Sequence, residues 1–534
     1  MGPPGVGKTA VGRAVATRLG LPLLDTDAAI AADAGMSVPD LWRREGEAGF
    51  RAREARLVAA LGDNVVVATG GGTLTAPGAL GLFEDGVSRV IFLDAPLGLL
   101  LERVGRRAWQ RPLLAESPER ALRELLERRQ PLYARAELRL RTLRRPQRTA
   151  QEIARYLAMS PARGEVVGRG ALAYLPGMVA GRPLLVTDSE VERLHGGRLK
   201  AALGSRRAPL RLPRGERAKR MEVIVKAARW AVARGVDRDS VVVAAGGGAL
   251  GDAAGLFAAV YMRGVRWAVV PTTLLAMVDA SLGGKVAVDL PEGKNLLGAF
   301  HPPSASVVDT TFLDTLSEEG WREGLAESVK GAILGDGALL DRLAAPAPRD
   351  GDALDDVVRR ARAVKRVRVE ADLRESLGGV REHLNLGHTL GHAIESLSRH
   401  RLSHGDAVAI GLAAILRLSE ADGLLGARDA APMWRALRAQ GLPERVPDWL
   451  EAGVDDAVSA MRRDKKARGG RVRLIVARAV ERIEVVEADD AMLERLAAFA
   501  GLAPGRHASP PPGRGRRQAA GRGDAVVLDT ARDG

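Results

Sequence analysis

The tightest constraint on the fold lies in the first nine residues. Gly2-Pro3-Pro4-Gly5-Val6-Gly7-Lys8-Thr9 fits the pattern G-x-x-x-x-G-K-[ST]. Gly2, Gly5 and Gly7 let backbone N–H groups curl around a phosphate, and the following helix points its positive end at the same charge. Lys8 would reach the β- and γ-phosphates of ATP, and Thr9 would ligate the accompanying Mg2+. Such a loop joins a buried parallel strand to a helix, so it commits the first segment to an α/β fold. Only Met1 precedes it here. The expectation is that the first strand is missing from this sequence and that translation truly starts upstream.

The 534 residues exceed the roughly 250–300 that one core can hold, so several domains are expected. In residues 1–158, β-rich runs such as 65–68 and 90–93 alternate with helical stretches such as 118–129. A linker is expected over 159–164. A second α/β pattern fills 165–310, with runs at 184–187, 241–245, 268–271 and 306–309. Helical periodicity dominates 311–502, and the Pro- and Arg-rich tail 503–534 is expected to be disordered. Short buried β runs separated by helices predict parallel sheets: a phosphate-loop domain, then a Rossmann-like dinucleotide-binding part, then a mainly helical part.

The formal charge is +14, yet no Lys/Arg run with interleaved aromatics accompanies it, so small anionic metabolites are the expected partners and nucleic acid is not. No apolar run is long enough for a bilayer and no signal-peptide pattern opens the chain, which predicts a cytoplasmic protein without membrane partners. With no cysteine, any metal must be held by histidines and carboxylates.

Only ten of the 80 basic residues are lysines, and seven of the ten fall in the motifs singled out here. A chain that uses arginine for nearly every solvated charge keeps a lysine where a compact ammonium is needed. Five of the eight histidines lie between His383 and His404. His388 and His392, four apart, share one helix face. Thr389 stands where a zinc protease would carry its general base, which excludes peptidase chemistry. Two histidines with a third ligand, a carboxylate or another histidine, would make a catalytic zinc site with open positions. Gly246-Gly247-Gly248 follows a strand pattern and precedes Asp252, as a pyrophosphate-binding turn requires.

Residues 1–158 resemble shikimate kinase in the order and spacing of five elements. The resemblance implies that Asp25 of Asp25-Thr26-Asp27 orders Mg2+ and that Asp27 binds substrate hydroxyls. It further implies that Arg51 and Arg129 grip a carboxylate and that Gly70, Gly71 and Gly72 cradle the substrate. Arg111, in Arg111-Pro112-Leu113-Leu114, would close over the transferring phosphate as a catalytic group beside Lys8. Arg103 would stack on adenine.

Residues 165–500 resemble 3-dehydroquinate synthase. The motifs are Leu325-Ala326-Glu327-Ser328-Val329-Lys330, Asn385-Leu386-Gly387-His388 and His404-Gly405-Asp406. The resemblance implies Glu327, His388 and His404 as ligands of Zn2+ (or Co2+), with Asp406 orienting His404. It implies NAD contacts at Asp188, Glu216, Lys219, Gly246, Gly247, Gly248, Asp252, Thr272 and Thr273. Substrate contacts would come from Arg263, Asp279, Lys285, Lys294, Asn295, Lys330, Arg381, Asn385, Lys465 and Lys466. Lys285, Lys330, Arg381, Asn385 and His392 are the implied catalytic groups of this half. The segment from Glu375 to Arg381 is two residues longer than the family's spacing, so no acidic contact is carried over there. The expected whole is a bifunctional enzyme, a homodimer acting on shikimate, ATP and a sugar-acid phosphate. The alternative is a metal- and NAD-dependent polyol dehydrogenase fused to an inactive or truncated phosphate-loop domain, which would not need the lysines at 285, 294 and 465–466.

Overall fold

A computed structural model describes residues 1–70, 72–73, 79, 81, 88–105, 117–142, 145–205, 207–373, 375–376, 378–463 and 472–504. The glycine loop feeds helix Lys8–Leu19, with Gly5 and Gly7 at φ 83° and 94°, in the left-handed region that favours glycine. Beneath it run two parallel strand pairs, Leu23–Asp25 with Val66–Ala68 and Ile91–Asp94 with Leu138–Arg141. Met1 pairs alongside the strand Ile91–Asp94. Its nitrogen donates to the Ile91 carbonyl at 2.7 Å and its carbonyl accepts from the Leu93 N–H at 2.8 Å.

The second half is built on a six-stranded parallel sheet. Its strands lie in the spatial order Glu165–Val167, Ala305–Val308, Arg266–Pro271, Ser240–Gly246, Arg182–Thr187, Leu210–Arg211. All seven residues of Ser240–Gly246 are buried, as both faces of a helix-covered parallel strand must be. From Arg182–Thr187 the chain steps outward to Leu210–Arg211, then returns on the other side to Ser240–Gly246. That reversal opens a crevice at the carboxyl ends of these neighbouring strands, where open α/β sheets bind ligands. An antiparallel hairpin, Lys285–Leu290 with Gly293–Phe300, was not anticipated from the sequence.

The helical part brings Glu318–Gly335, Gly351–Ala371, His388–Leu397 and His404–Ala421 together. Missing side chains permit the closest approaches. A Cβ on Gly391 would meet the Ala407 carbonyl oxygen at 3.1 Å, and one on Gly411 would collide with the carbonyl of Gly387.

The two halves share a seam. Leu138 and Tyr156, from the first, belong to the same buried cluster as Val166, Leu175 and Val307 of the second. Tyr156 meets Tyr174 edge-on at 5.3 Å. The stretch 159–164, expected as a linker, is tied from both sides. Arg89 donates to the Ser160 carbonyl at 3.0 Å and pairs with buried Glu137, while Gly164 accepts from the Ser306 N–H at 2.8 Å. Beyond it, Glu165 pairs with fully buried Arg362, which also donates to Ser306 Oγ at 3.1 Å and Ser281 Oγ at 2.8 Å. Among the described residues, no helix is long and apolar enough to cross a membrane.

Candidate active sites

In the second half, three helices deliver the metal-ligand candidates. Glu327 comes from the middle of Glu318–Gly335, His388 from the first turn of His388–Leu397, and His404 from the first turn of His404–Ala421. One ligand atom from each lies within 4.8 Å of the others, the single such group found among the described residues. His388 Nε2 is 3.3 Å and His404 Nε2 3.7 Å from Glu327 Oε1. Neither carboxylate oxygen of Glu327, though buried, has a well-formed hydrogen bond, and Lys330 flanks it as a counter-charge. A buried carboxylate left short of donors and faced by two imidazole nitrogens suits a divalent cation, and the His2Glu set matches open catalytic zinc sites.

Without the cation, the three groups differ in charge. Burial would raise the Glu327 pKa, but Lys330 and His388 hold it well below the ordinary carboxylate range. Burial and Lys330 push His388 down to about 3, so its ring is neutral and able to ligate. Burial also opposes charge on His404, but Glu327 and Glu395 outweigh it and hold the imidazole up at about 10. His392 stays beside the cluster, its ring 5.3 Å from that of His388 and 6.1 Å from that of His404.

Asp406 does not orient His404 as expected; it faces Arg322 at 3.7 Å. The carboxylate on His404 Nδ1 is Glu395, at 3.2 Å, and it also holds Lys294 at 2.6 Å. Glu395 lies seven residues after His388, two turns along the same helix face, a signal the sequence carried unused. Lys365 was missed too. Its ammonium donates to the Asp279 carboxylate at 2.7 Å and to the Asp279 carbonyl at 2.8 Å, and burial lowers its pKa despite that pairing.

The cation pocket adjoins this cluster. Lys285 pairs with Glu375, whose φ of 55° turns its carboxylate back toward the hairpin and to Asn385 Nδ2 at 3.5 Å. Arg381 is buried and donates to the Leu373 carbonyl at 2.6 Å. Lys219 reaches Asp252 at 2.9 Å and Asn295 as well, tying the glycine-turn helix to the hairpin. Glu216 stands 3.7 Å from Lys294. Arg263 lies elsewhere. It is exposed, at φ 64°, ahead of strand Arg266–Pro271, so it sits at the amino edge of the sheet while Gly246 and Thr272 mark the carboxyl edge. Lys465 and Lys466 lie outside the described residues.

At the strand reversal, Gly246, Gly247, Gly248 and Asp252 line a cleft that Lys285 also borders. A Cβ on Gly248 would crowd Ala280 at 3.0 Å, whereas one on Gly247 would make ordinary contact with Thr273 at 3.4 Å. The Thr272 N–H donates to the Gly246 carbonyl at 3.0 Å. Asp188 caps helix Ser189–Leu203 at the end of the neighbouring strand, accepting from Glu190 and Val191 at 2.8 and 3.0 Å.

In the first half, Thr9 Oγ1 donates to Asp25 Oδ2 at 2.6 Å, so the two Mg2+ candidates are adjacent. Lys8 folds over its own loop, donating to the Gly2 and Pro3 carbonyls at 2.9 and 3.1 Å. Arg103 reaches the Gly5 carbonyl at 3.4 Å. Asp27 and Arg51 crowd Gly70 and Gly72, where any Cβ would collide with them. Arg51 pairs with Glu54, a fully buried carboxylate not singled out from the sequence, which also accepts from Thr73 Oγ1 at 2.7 Å. Arg129 sits beside Tyr133 one turn further along helix Pro118–Tyr133. Gly71 and Arg111 lie outside the described residues.

A glycine turn at a sheet's reversal point, together with helices that gather two histidines and a glutamate, defines a dinucleotide- and metal-binding α/β class. Family models agree: 3-dehydroquinate synthase N-terminal matches residues 209–323, 3-dehydroquinate synthase C-terminal residues 324–467, and shikimate kinase residues 4–158. A 3-dehydroquinate synthase of Opitutus terrae is 43% identical over 320 residues, 59% of this chain and 87% of that protein. One of Acidithiobacillus ferrooxidans is 41% identical over 325 residues, 59% of this chain and 88% of that protein. A solved structure of 2-epi-5-epi-valiolone synthase from Streptomyces hygroscopicus, with NAD+ and Zn2+ bound, aligns at TM-score 0.58 and 30% identity, over 63% of this chain and 96% of that one. The chain belongs to the 3-dehydroquinate synthase family and carries a shikimate kinase domain ahead of its synthase domain.

Proposed function

We propose that the second half converts 3-deoxy-D-arabino-heptulosonate 7-phosphate to 3-dehydroquinate with release of phosphate, and that the first half phosphorylates shikimate from ATP. The observation that carries the synthase reading is the convergence of Glu327, His388 and His404 beside a pocket of lysines, with the glycine turn at its edge. When bound, a zinc ion there supplies Lewis-acid polarisation of a hydroxyl, and NAD a reversible hydride acceptor. The chain's own groups do the rest. Lys285, Lys294, Lys330 and Arg381 neutralise a carboxylate and a phosphate, which a neutral polyol would not require. His392, beside two of the ligand candidates, would move a proton.

In the first half, Lys8 and the loop N–H groups hold the transferring phosphate. Thr9 and Asp25 hold Mg2+, and Arg51, fixed by Glu54, faces the substrate carboxylate. A homodimer in the cytoplasm, acting only on small molecules, completes the reading on family resemblance; light scattering tests the assembly.

The decisive assay measures zinc- and NAD-dependent phosphate release from the heptulosonate phosphate while following absorbance of reduced NAD. Phosphate release without net reduction is expected. Net reduction with a plain polyol would overturn the proposal in favour of a dehydrogenase. Shikimate-dependent ADP formation tests the kinase half, and its absence in an active synthase would mark that half as inert.

A further inference from the structure

We propose that Glu395 is a positioning residue serving two parts of the synthase site at once, orienting His404 through one carboxylate oxygen and fixing the Lys294 ammonium through the other. The proposal rests on the reading above for what the cluster binds. Glu395 is 7% exposed. Its Oε2 lies 3.2 Å from His404 Nδ1 and its Oε1 2.6 Å from Lys294 Nζ. His404 thus divides its ring, Nε2 toward Glu327 and the cation position, Nδ1 toward Glu395. A carboxylate accepting the Nδ1–H leaves the Nε2 lone pair free for a metal, stops the ring from turning and makes the ligand more basic.

Lys294 comes from the hairpin strand Gly293–Phe300. It stands between two carboxylates, Glu395 on the metal side and Glu216, 3.7 Å away, on the dinucleotide side. Glu395, the closer and more buried of the two, decides that the ammonium points at the cluster. His400 Nδ1, at 3.4 Å from Oε1, also faces this carboxylate and belongs to a half-exposed side chain. Because one carboxylate divides its charge between a metal ligand and a substrate cation, occupancy of either should alter affinity at the other, reciprocally.

The test titrates Zn2+ into the metal-free, full-length protein against a chromogenic chelator. Glu395→Gln is expected to weaken Zn2+ binding by about 10–100-fold while leaving NAD affinity in place, and Asp406→Asn to leave Zn2+ binding within about twofold. Zn2+ affinity in Glu395→Gln within about twofold of the unsubstituted protein would overturn the proposal. Should Glu395→Gln fail to fold, Lys294→Met, at a partly exposed position, decides. It removes a positive charge near the cation and releases the carboxylate to His404 alone, so Zn2+ should bind severalfold tighter; unchanged affinity overturns the proposal. If the unsubstituted protein binds no Zn2+, the enzyme reading falls and this inference with it. If it binds normally and Glu395→Gln is indifferent, only this inference falls.

Discussion

Gly411→Ala should damage the metal site although no atom of residue 411 touches a ligand. The two helices that carry His388 and His404 cross where Gly411 faces the Gly387 carbonyl, and Gly387 immediately precedes His388. A Cβ at 411 would stand about 1 Å inside the 3.0 Å below which real Cβ contacts essentially never occur, and the obstacle is backbone, which cannot rotate aside. The helices must therefore part by about 1 Å, against a tolerance of roughly 0.2 Å in metal–ligand distances. Overpacking of this kind costs about 1–3 kcal/mol of stability, so the fold should survive. The expected phenotype is a modest fall in Tm with a loss of Zn2+ affinity larger than the Tm change would suggest. Calorimetry on the metal-free protein gives the first quantity and chelator competition the second. Gly423→Ala, at a left-handed position with no atom near its Cβ, controls for generic destabilisation. If Gly411→Ala loses stability but binds Zn2+ normally, the claim that glycine contacts set the ligand geometry is wrong.

The remaining predictions concern other parts of the molecule. Zn2+ affinity should climb as pH rises from 7 to 9, because a proton held on His404 to about 10 must leave before the metal binds; competition titrations showing no pH dependence would refute this. For the same group, the folded pKa lies above the ordinary value of 6.5. Its contribution to the metal-free fold is therefore complete below pH 6.5 and drains away toward pH 10, which Tm across that window will report. Arg362→Met leaves the buried Glu165 carboxylate to Arg366 alone and should cost about 1.5–3 kcal/mol in denaturant unfolding, the loss of charge-assisted hydrogen bonds; no change in unfolding would refute this. Lys8→Met should lower shikimate phosphorylation by roughly 10²–10³ in kcat while leaving phosphate release by the synthase half unaltered, as parallel assays will show.

Both glycine loops and the histidine spacing were legible because their chemistry fixes neighbouring positions in the sequence. Strand runs such as 241–245 were legible from burial on both faces, observed as Ser240–Gly246. The hairpin Lys285–Phe300 was not, because several of its outward residues, Leu296, Leu297 and Phe300 among them, are apolar and blur the alternation a half-buried strand should show. Glu395 was passed over for Asp406, which is nearer to His404 in sequence but turned toward Arg322. Proximity along a chain says little where three helices meet. Arg263 matched by motif yet sits at the far edge of the sheet, since a motif specifies residue type and order but not which rim of a domain a turn occupies. Glu54 could have been found from its three-residue spacing to Arg51, but only burial distinguishes it from the surface glutamates around it.

The seam between the halves bears on any attempt to take the protein apart. Cleaving the chain near residue 160 would not release two finished bodies. The kinase piece would leave with Leu138 and Tyr156 bared to water, and the synthase piece would keep a greasy hollow lined by Tyr174 and Leu175. The severed ends would also leave Glu137 and Arg89 without the backbone that now links them to the second sheet. Dissection by expression would thus read out the wound as much as the enzyme, whereas point substitutions within the intact chain leave that surface closed.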